Sequence, residues 1–244
     1  MSAKPTKKRR ERGSIDPELV LDGAFEVATR NGLDGLSMPG LAAHLGVGVT
    51  SIYWHFQSKE GLLRRMCARA ILKLNDTKTI HPKAESAPQD WRAFLCEHFT
   101  NLRSVYAGDN LLTELTIMRT ATYSSRSTRT AFTNVESILS YLVQAGFRPQ
   151  TAWSLWASCS MFTRGFIIAE RNRRVDKMPP DGLLQVHLLD PEMTPLIVDL
   201  IRNDSTLSLD GTGDRNFTFG LDAMLDAAER VLQNDLLHES RLTT

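Results

Sequence analysis

The chain has 244 residues, 42% of them hydrophobic and 23% charged, with a formal net charge of +1. That length holds one large or two modest domains around a substantial core, and the composition is that of an ordinary globular protein. No apolar run approaches the roughly 18–20 residues needed to span a membrane, and the charged N-terminus lacks the apolar stretch of a signal peptide. The cysteines, Cys67, Cys96 and Cys159, are odd in number, lack metal-ligand spacing and sit among apolar neighbours. They read as buried free thiols in a reducing cytoplasm.

The first segment is a basic arm, with Lys4, Lys7, Lys8, Arg9, Arg10 and Arg12 set against Glu11. It has no apolar residue able to order it and is expected to be disordered over residues 1–14. Such an arm adds salt-dependent affinity for a polyanion or simply keeps the chain soluble. Residues 1–70 carry a net charge of +4 and the remainder −3, so positive potential belongs to the N-terminal end.

Helix signals then follow one another, and strand signals are almost absent, which makes the expected fold all-α. Asp16 caps a first helix with Pro17 at its first position and Glu18 beside it; Val20, Ala24, Val27 and Ala28 form its apolar stripe. Asn31-Gly32 is expected to end that helix in left-handed geometry. Ser37 caps the next helix, along which Leu41, Ala42 and Leu45 recur, and His44 is expected to face solvent.

Gly46-Val47-Gly48 turns the chain into a short helix that buries Ile52 and Phe56. That helix presents Thr50, Ser51, Tyr53, Trp54 and His55 outward or sideways. A short helix that offers water an indole, a phenol, an imidazole and hydroxyls needs a partner surface. With the packed helix and glycine turn before it, the pair reads as a helix-turn-helix shaped for the DNA major groove. The alternative is a helical hairpin whose aromatics fill a neighbouring cleft. This domain is assigned to residues 15–62.

Ser58 caps a helix with Leu62, Leu63, Met66 and Ala70 inward, expected to reach about Leu74 and to bridge the head to a larger helical domain over 63–244. Residues 76–89 are a polar connector carrying Pro82 and Pro88. Trp91, Phe94, Leu95, His98, Leu102 and Val105 then trace one helical face. Further helices are expected at about 109–121, 125–145 and 149–173, near 191–202, and from about Arg215 to Leu237. Loops at Pro179, Pro180 and Gly182 and at Asp204–Asp214 separate the last of these.

Two helices show surplus apolar surface. One carries Trp153, Leu155, Trp156, Met161, Phe162, Phe166 and Ile167; the other carries Phe217, Leu221, Met224, Leu225, Ala228, Val231 and Leu232. They suggest a four-helix interface with a second copy, for which Trp153, Phe166, Phe217, Leu221, Met224, Leu225 and Ala228 are the candidate residues. Burial within one subunit is the alternative. Trp91, His98, Trp153, Trp156 and Phe162 are candidates for the wall of an apolar ligand site, although core packing explains the tryptophans equally well. His98 suits a core or a pocket position.

Catalytic signatures are missing. There is no G-x-S-x-G, no H-E-x-x-H, no phosphate-binding glycine loop and no Cys-x-x-Cys, and Gly211-Thr212-Gly213 reads as a flexible turn. No His/carboxylate cluster fits a metal, and no cofactor is expected.

Over about residues 17–66 the sequence resembles the TetR-type transcriptional regulators. The resemblance is carried by Asn31-Gly32, Leu36-Ser37, Leu41-Ala42, Leu45-Gly46-Val47, Ile52-Tyr53-Trp54-His55-Phe56, Ser58-Lys59-Glu60 and Leu62-Leu63. Trp54 between Tyr53 and His55 is most similar to the tetracycline repressor branch. Beyond the head the likeness is one of layout, with Ala145-Gly146-Phe147 and Phe219-Gly220-Leu221-Asp222 weakly similar. The resemblance implies a homodimeric repressor that binds a palindromic operator in double-stranded DNA and leaves it on binding a small, largely apolar effector.

By position it implies DNA-facing roles for Ser37, Val49, Thr50, Ser51, Tyr53, Trp54 and His55, with Lys59 at a phosphate. The chemistry agrees: Trp54 can lie on a thymine methyl, Thr50 and Ser51 can bond base edges, and Tyr53, His55 and Lys59 suit phosphates. Ser37-Met38-Pro39-Gly40 departs from the family, which usually places a guanine-reading arginine here; Pro39 cannot do that and has no amide donor. Asn75 stands where the tetracycline branch has a histidine, so tetracycline–magnesium chemistry does not carry over. A non-specific architectural DNA binder is the remaining alternative, and it leaves the large apolar C-terminal domain unexplained.

Overall fold

In the computed structural model the described residues are 15–76, 87–118, 125–175, 189–204 and 210–242. The basic arm, Pro82, the Pro179–Gly182 loop and the side chain of Asn75 lie outside them. Among the described residues there is no strand, and the chain is all-α.

By which residues pack together, the chain forms two units. The first comprises Met1–Thr77 and Glu114–Ala131, the second Lys78–Thr113 and Phe132–Thr244. Both differ from the division expected at residue 62, because the whole of the fourth helix packs with the head and a later segment returns to it.

The first unit contains α1 (Pro17–Gly35), α2 (Met38–Leu45), α3 (Val49–His55), α4 (Lys59–Asp76) and a π-helical segment, Glu114–Met118. Asp16 caps α1 by accepting the Glu18 amide at 2.9 Å. The apolar stripe is buried as its spacing requires: Val20, Ala24, Val27 and Ala28 are all 7% exposed or less. Gly32 has φ 72° and ψ 168°, so it kinks the helix in an extended positive-φ conformation, and the helical run resumes to Gly35. Glycine alone tolerates that backbone cheaply, which is why the expected stop became a kink.

Leu33 and Leu36 are also buried, each 1% exposed. On the other side of α1, Arg69 of α4 meets Asp22 at 2.6 Å, and its guanidinium lies 5.7 Å from the Phe25 ring centre. Cys67 of α4 donates its thiol to the Leu115 carbonyl of the π-helical segment at 3.0 Å.

The second unit contains α5 (Trp91–Ala107), α6 (Asn110–Thr113), α8 (Pro149–Val175), α9 (Pro195–Asn203), α10 (Asp214–Leu242) and most of α7 (Ser125–Gln144). The helix expected over 109–121 begins at Asn110 and changes to π geometry after Thr113, and its expected end lies outside the described residues. Ion pairs set the helix directions. Arg103 of α5 meets Glu170 of α8 and Asp214 of α10, while Arg92 at the start of α5 meets Asp226 farther along α10. Helices α5 and α8 therefore run parallel to each other and antiparallel to α10. Their shared core holds Phe94, Leu95, Phe99, Leu142, Phe147, Leu155, Cys159, Phe217, Leu221 and Leu225.

Candidate nucleic-acid interface

The geometry of the head follows from three local devices. Ser37 accepts the Gly40 amide at 3.1 Å and starts α2. Gly46, at φ 67° and ψ 32°, takes the left-handed conformation that stops it. Gly48 then begins α3, a helix of seven residues, with its carbonyl accepting the Ser51 amide at 2.9 Å.

Within α3 the two faces are sharply unlike. Ile52 is 0% exposed, and Phe56, whose amide closes the helix by donating a hydrogen bond to the Ile52 carbonyl, is 5% exposed. Opposite them Trp54 is 82% exposed and Tyr53 is 44% exposed. Thr50 is also exposed, and Val49, Ser51, His55 and Lys59 are half-buried at its margins. A tryptophan left in water on a helix anchored by a fully buried isoleucine forgoes the burial that usually stabilises an indole, and it marks a contact surface.

The two preceding helices hold this surface in place. Gly23 of α1 lets Leu45 of α2 approach so closely that a Cβ there would stand 2.7 Å from the Leu45 Cδ2. His44 is exposed, as expected, and its Nε2 lies 2.8 Å from the Glu26 carboxylate. Ser37 is exposed at the start of α2 beside Pro39, which occupies the first turn, where its missing amide breaks no helical bond. Ser58 accepts the Gly61 amide at 3.1 Å and thereby sets Lys59 at the first position of α4.

The residues considered for a ligand site all lie in the second unit, where Trp91, Trp156 and Phe162 belong to or pack against one core. Trp91 is buried edge-on against Phe147 at 4.9 Å, Phe162 is stacked on Phe217 at 5.6 Å, and Trp153 pairs with Trp156 at 5.4 Å. Trp153 is 46% exposed and so looks outward. His98 is buried between the rings of Phe94 and Phe99. Core packing explains most of this set.

The residues considered for a dimer interface also divide. Phe217, Leu221, Leu225 and Ala228 are buried in the subunit's own core, and Phe166 and Met224 pack partly against it. Among the described residues the large apolar side chains that α8 and α10 leave open are Trp153, Met161, Val175, Phe219 and Val231, of which only Trp153 is among the interface residues that sequence periodicity suggests. An i, i+4 pattern identifies a helix's apolar stripes but not which stripe its own chain covers.

Electrostatics in the second unit are mostly settled by pairing. The Arg103 guanidinium bonds Glu170 through two nitrogens and lies 4.7 Å from the Phe217 ring centre, and its carboxylate partners keep its pKa raised against the opposing effect of burial. Burial pushes the Cys159 thiol up to about 12, so it stays protonated and inert at neutral pH. Among the described residues no group of three or more His, Cys, Asp or Glu is placed to hold a metal ion, and no helix is long and apolar enough to cross a membrane.

Comparisons with known proteins match this architecture. Residues 20–66 match the model of bacterial regulatory proteins of the tetR family, and residues 84–232 match that of the tetracyclin repressor-like C-terminal domain. The chain is 33% identical to the HTH-type transcriptional repressor Rv1353c of Mycobacterium tuberculosis over 237 residues, 96% of this chain and 88% of that one. It is 29% identical to the class A tetracycline repressor from transposon 1721 of Escherichia coli, covering 72% of this chain and 77% of the relative.

Among solved structures, TetR from Acinetobacter baumannii AYE superposes with a TM-score of 0.60 at 25% identity, covering 90% of this chain and 99% of that one. ActR of Streptomyces coelicolor in complex with actinorhodin shares the fold, with a TM-score of 0.64 at 18% identity and coverage of 90% and 99%. With both family models matched in order and a repressor aligned over nearly its whole length, the chain belongs to the TetR family of helix-turn-helix transcriptional regulators.

Proposed function

We propose that this regulator is a repressor that grips a palindromic operator as a homodimer and releases it when a small, largely apolar molecule enters its C-terminal domain. The observation that carries the reading is α3: seven residues with Ile52 fully buried on one side and Trp54 82% exposed on the other. In this reading Thr50, Ser51 and Trp54 meet base edges, and Ser37, Val49, Tyr53, His55 and Lys59 fit the helix against sugar and phosphate. Relatives named as transcriptional repressors support it, as does a family neighbour solved with actinorhodin. These relatives are regulators and not enzymes, and they favour a role in the cytoplasm, where operators are found.

The dimer in this reading forms through the open face of α8 and α10. Trp153, Met161, Phe219 and Val231 offer it an apolar patch that a lone subunit leaves in water. Two heads read successive major grooves when their α3 helices stand about 34–36 Å apart, one turn of duplex. Selection of bound duplexes from a random pool by the purified full chain tests the proposal. The expected product is one inverted repeat, bound with steep salt dependence. A pool without an enriched motif would reduce the protein to a non-specific DNA binder.

A further inference from the structure

The surface that the head offers to DNA lacks the side chains that usually read bases. From Ser37 to Phe56, which spans α2, the glycine turn and α3, there is no arginine, lysine, asparagine, glutamine, aspartate or glutamate. Those are the side chains whose hydrogen bonds tell guanine, adenine and cytosine apart in the major groove. Gln57 and Lys59 follow, but both lie past the end of α3. A recognition helix meets base edges with its first residues, so neither replaces a missing reader.

What the stretch does offer is apolar or hydroxylic. Trp54 is 82% exposed, Pro39, Ala43 and Thr50 are exposed, and Val49 and Ser51 are half-buried. His44 already has the Glu26 carboxylate 2.8 Å from its Nε2, and His55 is half-buried at the last position of α3. The apolar group on a base edge in the major groove is the C5 methyl of thymine, and apolar side chains are what meet it. The Thr50 and Ser51 hydroxyls donate as readily as they accept, so they hold a base edge without selecting its identity. Selection therefore falls to the indole. Over a methyl it buries apolar surface, and over a base without one it loses that burial.

We infer that the operator half-site is recognised through C5 methyl groups in the major groove, with Trp54 as their principal reader, so that 5-methylcytosine passes for thymine and uracil does not. The inference rests on the operator reading above and adds the class of base edge that is selected.

The test uses the full chain and the inverted repeat that duplex selection yields, with affinity read by fluorescence anisotropy at one fixed salt concentration. Each thymine in turn is replaced by uracil at both symmetry-related positions. Uracil keeps every hydrogen-bonding group in both grooves and loses only the methyl. At one pair of positions or more, the expected loss is about fourfold per methyl, hence about fifteenfold for the pair. At that pair cytosine should bind no better than uracil, and 5-methylcytosine should recover most of the loss. Trp54→Ala should hold the thymine and uracil operators alike. Should that variant bind too weakly to compare, the ranking of the four bases on wild type still decides the matter. Indifference to uracil at every position, a cytosine that methylation does not rescue, or a thymine preference that Trp54→Ala keeps in full overturns the inference. A repeat that is selected but indifferent to uracil removes the inference alone, whereas selection of no repeat removes the repressor reading and the inference with it.

Discussion

On α3 of the head, Trp54 is 82% exposed while its neighbour Ile52 is completely buried; on α10, Phe217 is 1% exposed and is packed by Phe162, Phe166 and Arg103. The same class of side chain thus has opposite uses at these two places. In the head, packing is done mostly by small and aliphatic residues such as Val20, Ala24, Leu41 and Ile52, with Phe56 beside them, which leaves Tyr53 and Trp54 for a partner. In the larger unit Trp91, Phe94, Phe99 and Phe217 all serve the core. An aromatic residue therefore informs about recognition only when something else already anchors its helix.

The contrast is open to direct attack. Phe217→Ala removes a fully buried ring and should cost about 3–5 kcal/mol of stability, read as a shift of the urea midpoint. Trp54→Ala should leave that midpoint unmoved and instead weaken operator binding by about 1–3 kcal/mol, with a changed sequence preference in duplex selection. Loss of stability from Trp54→Ala, with operator affinity untouched, would undo the division of labour between the two units.

A finer form of the comparison uses one substitution at two glycines. A Cβ at Gly220 of α10 would stand 2.3 Å from Cζ of Phe162, a ring itself held by Phe166 and Phe217. A Cβ at Gly23 of α1 would stand 2.7 Å from the end of Leu45, a half-buried flexible side chain. Alanine in a helix gains about 1 kcal/mol over glycine where nothing obstructs it. Gly23→Ala should therefore be close to neutral, whereas Gly220→Ala should lose about 1–2 kcal/mol through overpacking against a ring that cannot yield. Equal unfolding midpoints for the two variants would show that the α8–α10 contact is as pliable as the head.

What the sequence made legible follows the same line. The caps Asp16, Ser37 and Ser58, the Gly46 stop and the buried Ile52 are all decided within four residues of themselves, so local pattern located them and the exposed face of α3 with them. The kink at Gly32 was legible as a special backbone position but not as a continuation. In the larger unit the decisive contacts join residues such as Arg103 and Glu170, 67 positions apart. Nothing local says that Phe217 and Leu221 face the chain's own core while Phe219 and Val231 remain open. Those facts belong to three helices at once.

The smallest expected effect concerns Lys59, and it sharpens the comparison within the head itself. Ser58 caps α4 and leaves Lys59 as its first residue, where a positive charge faces the positive end of the helix dipole. Removal of that charge cannot harm the helix, so Lys59→Ala should leave the urea midpoint unchanged or slightly raised. If Lys59 meets a phosphate, its loss must show in DNA binding alone, and in a manner unlike that of Trp54. Phosphate contacts carry no base identity, so operator and random duplex should weaken alike. The slope of log affinity against log salt should also fall by about one unit per half-site, which is the counterion released by one neutralised phosphate. Fluorescence anisotropy across a salt series on both duplexes measures this. An unchanged slope would remove Lys59 from the interface and leave α3 to hold the DNA with α2 alone.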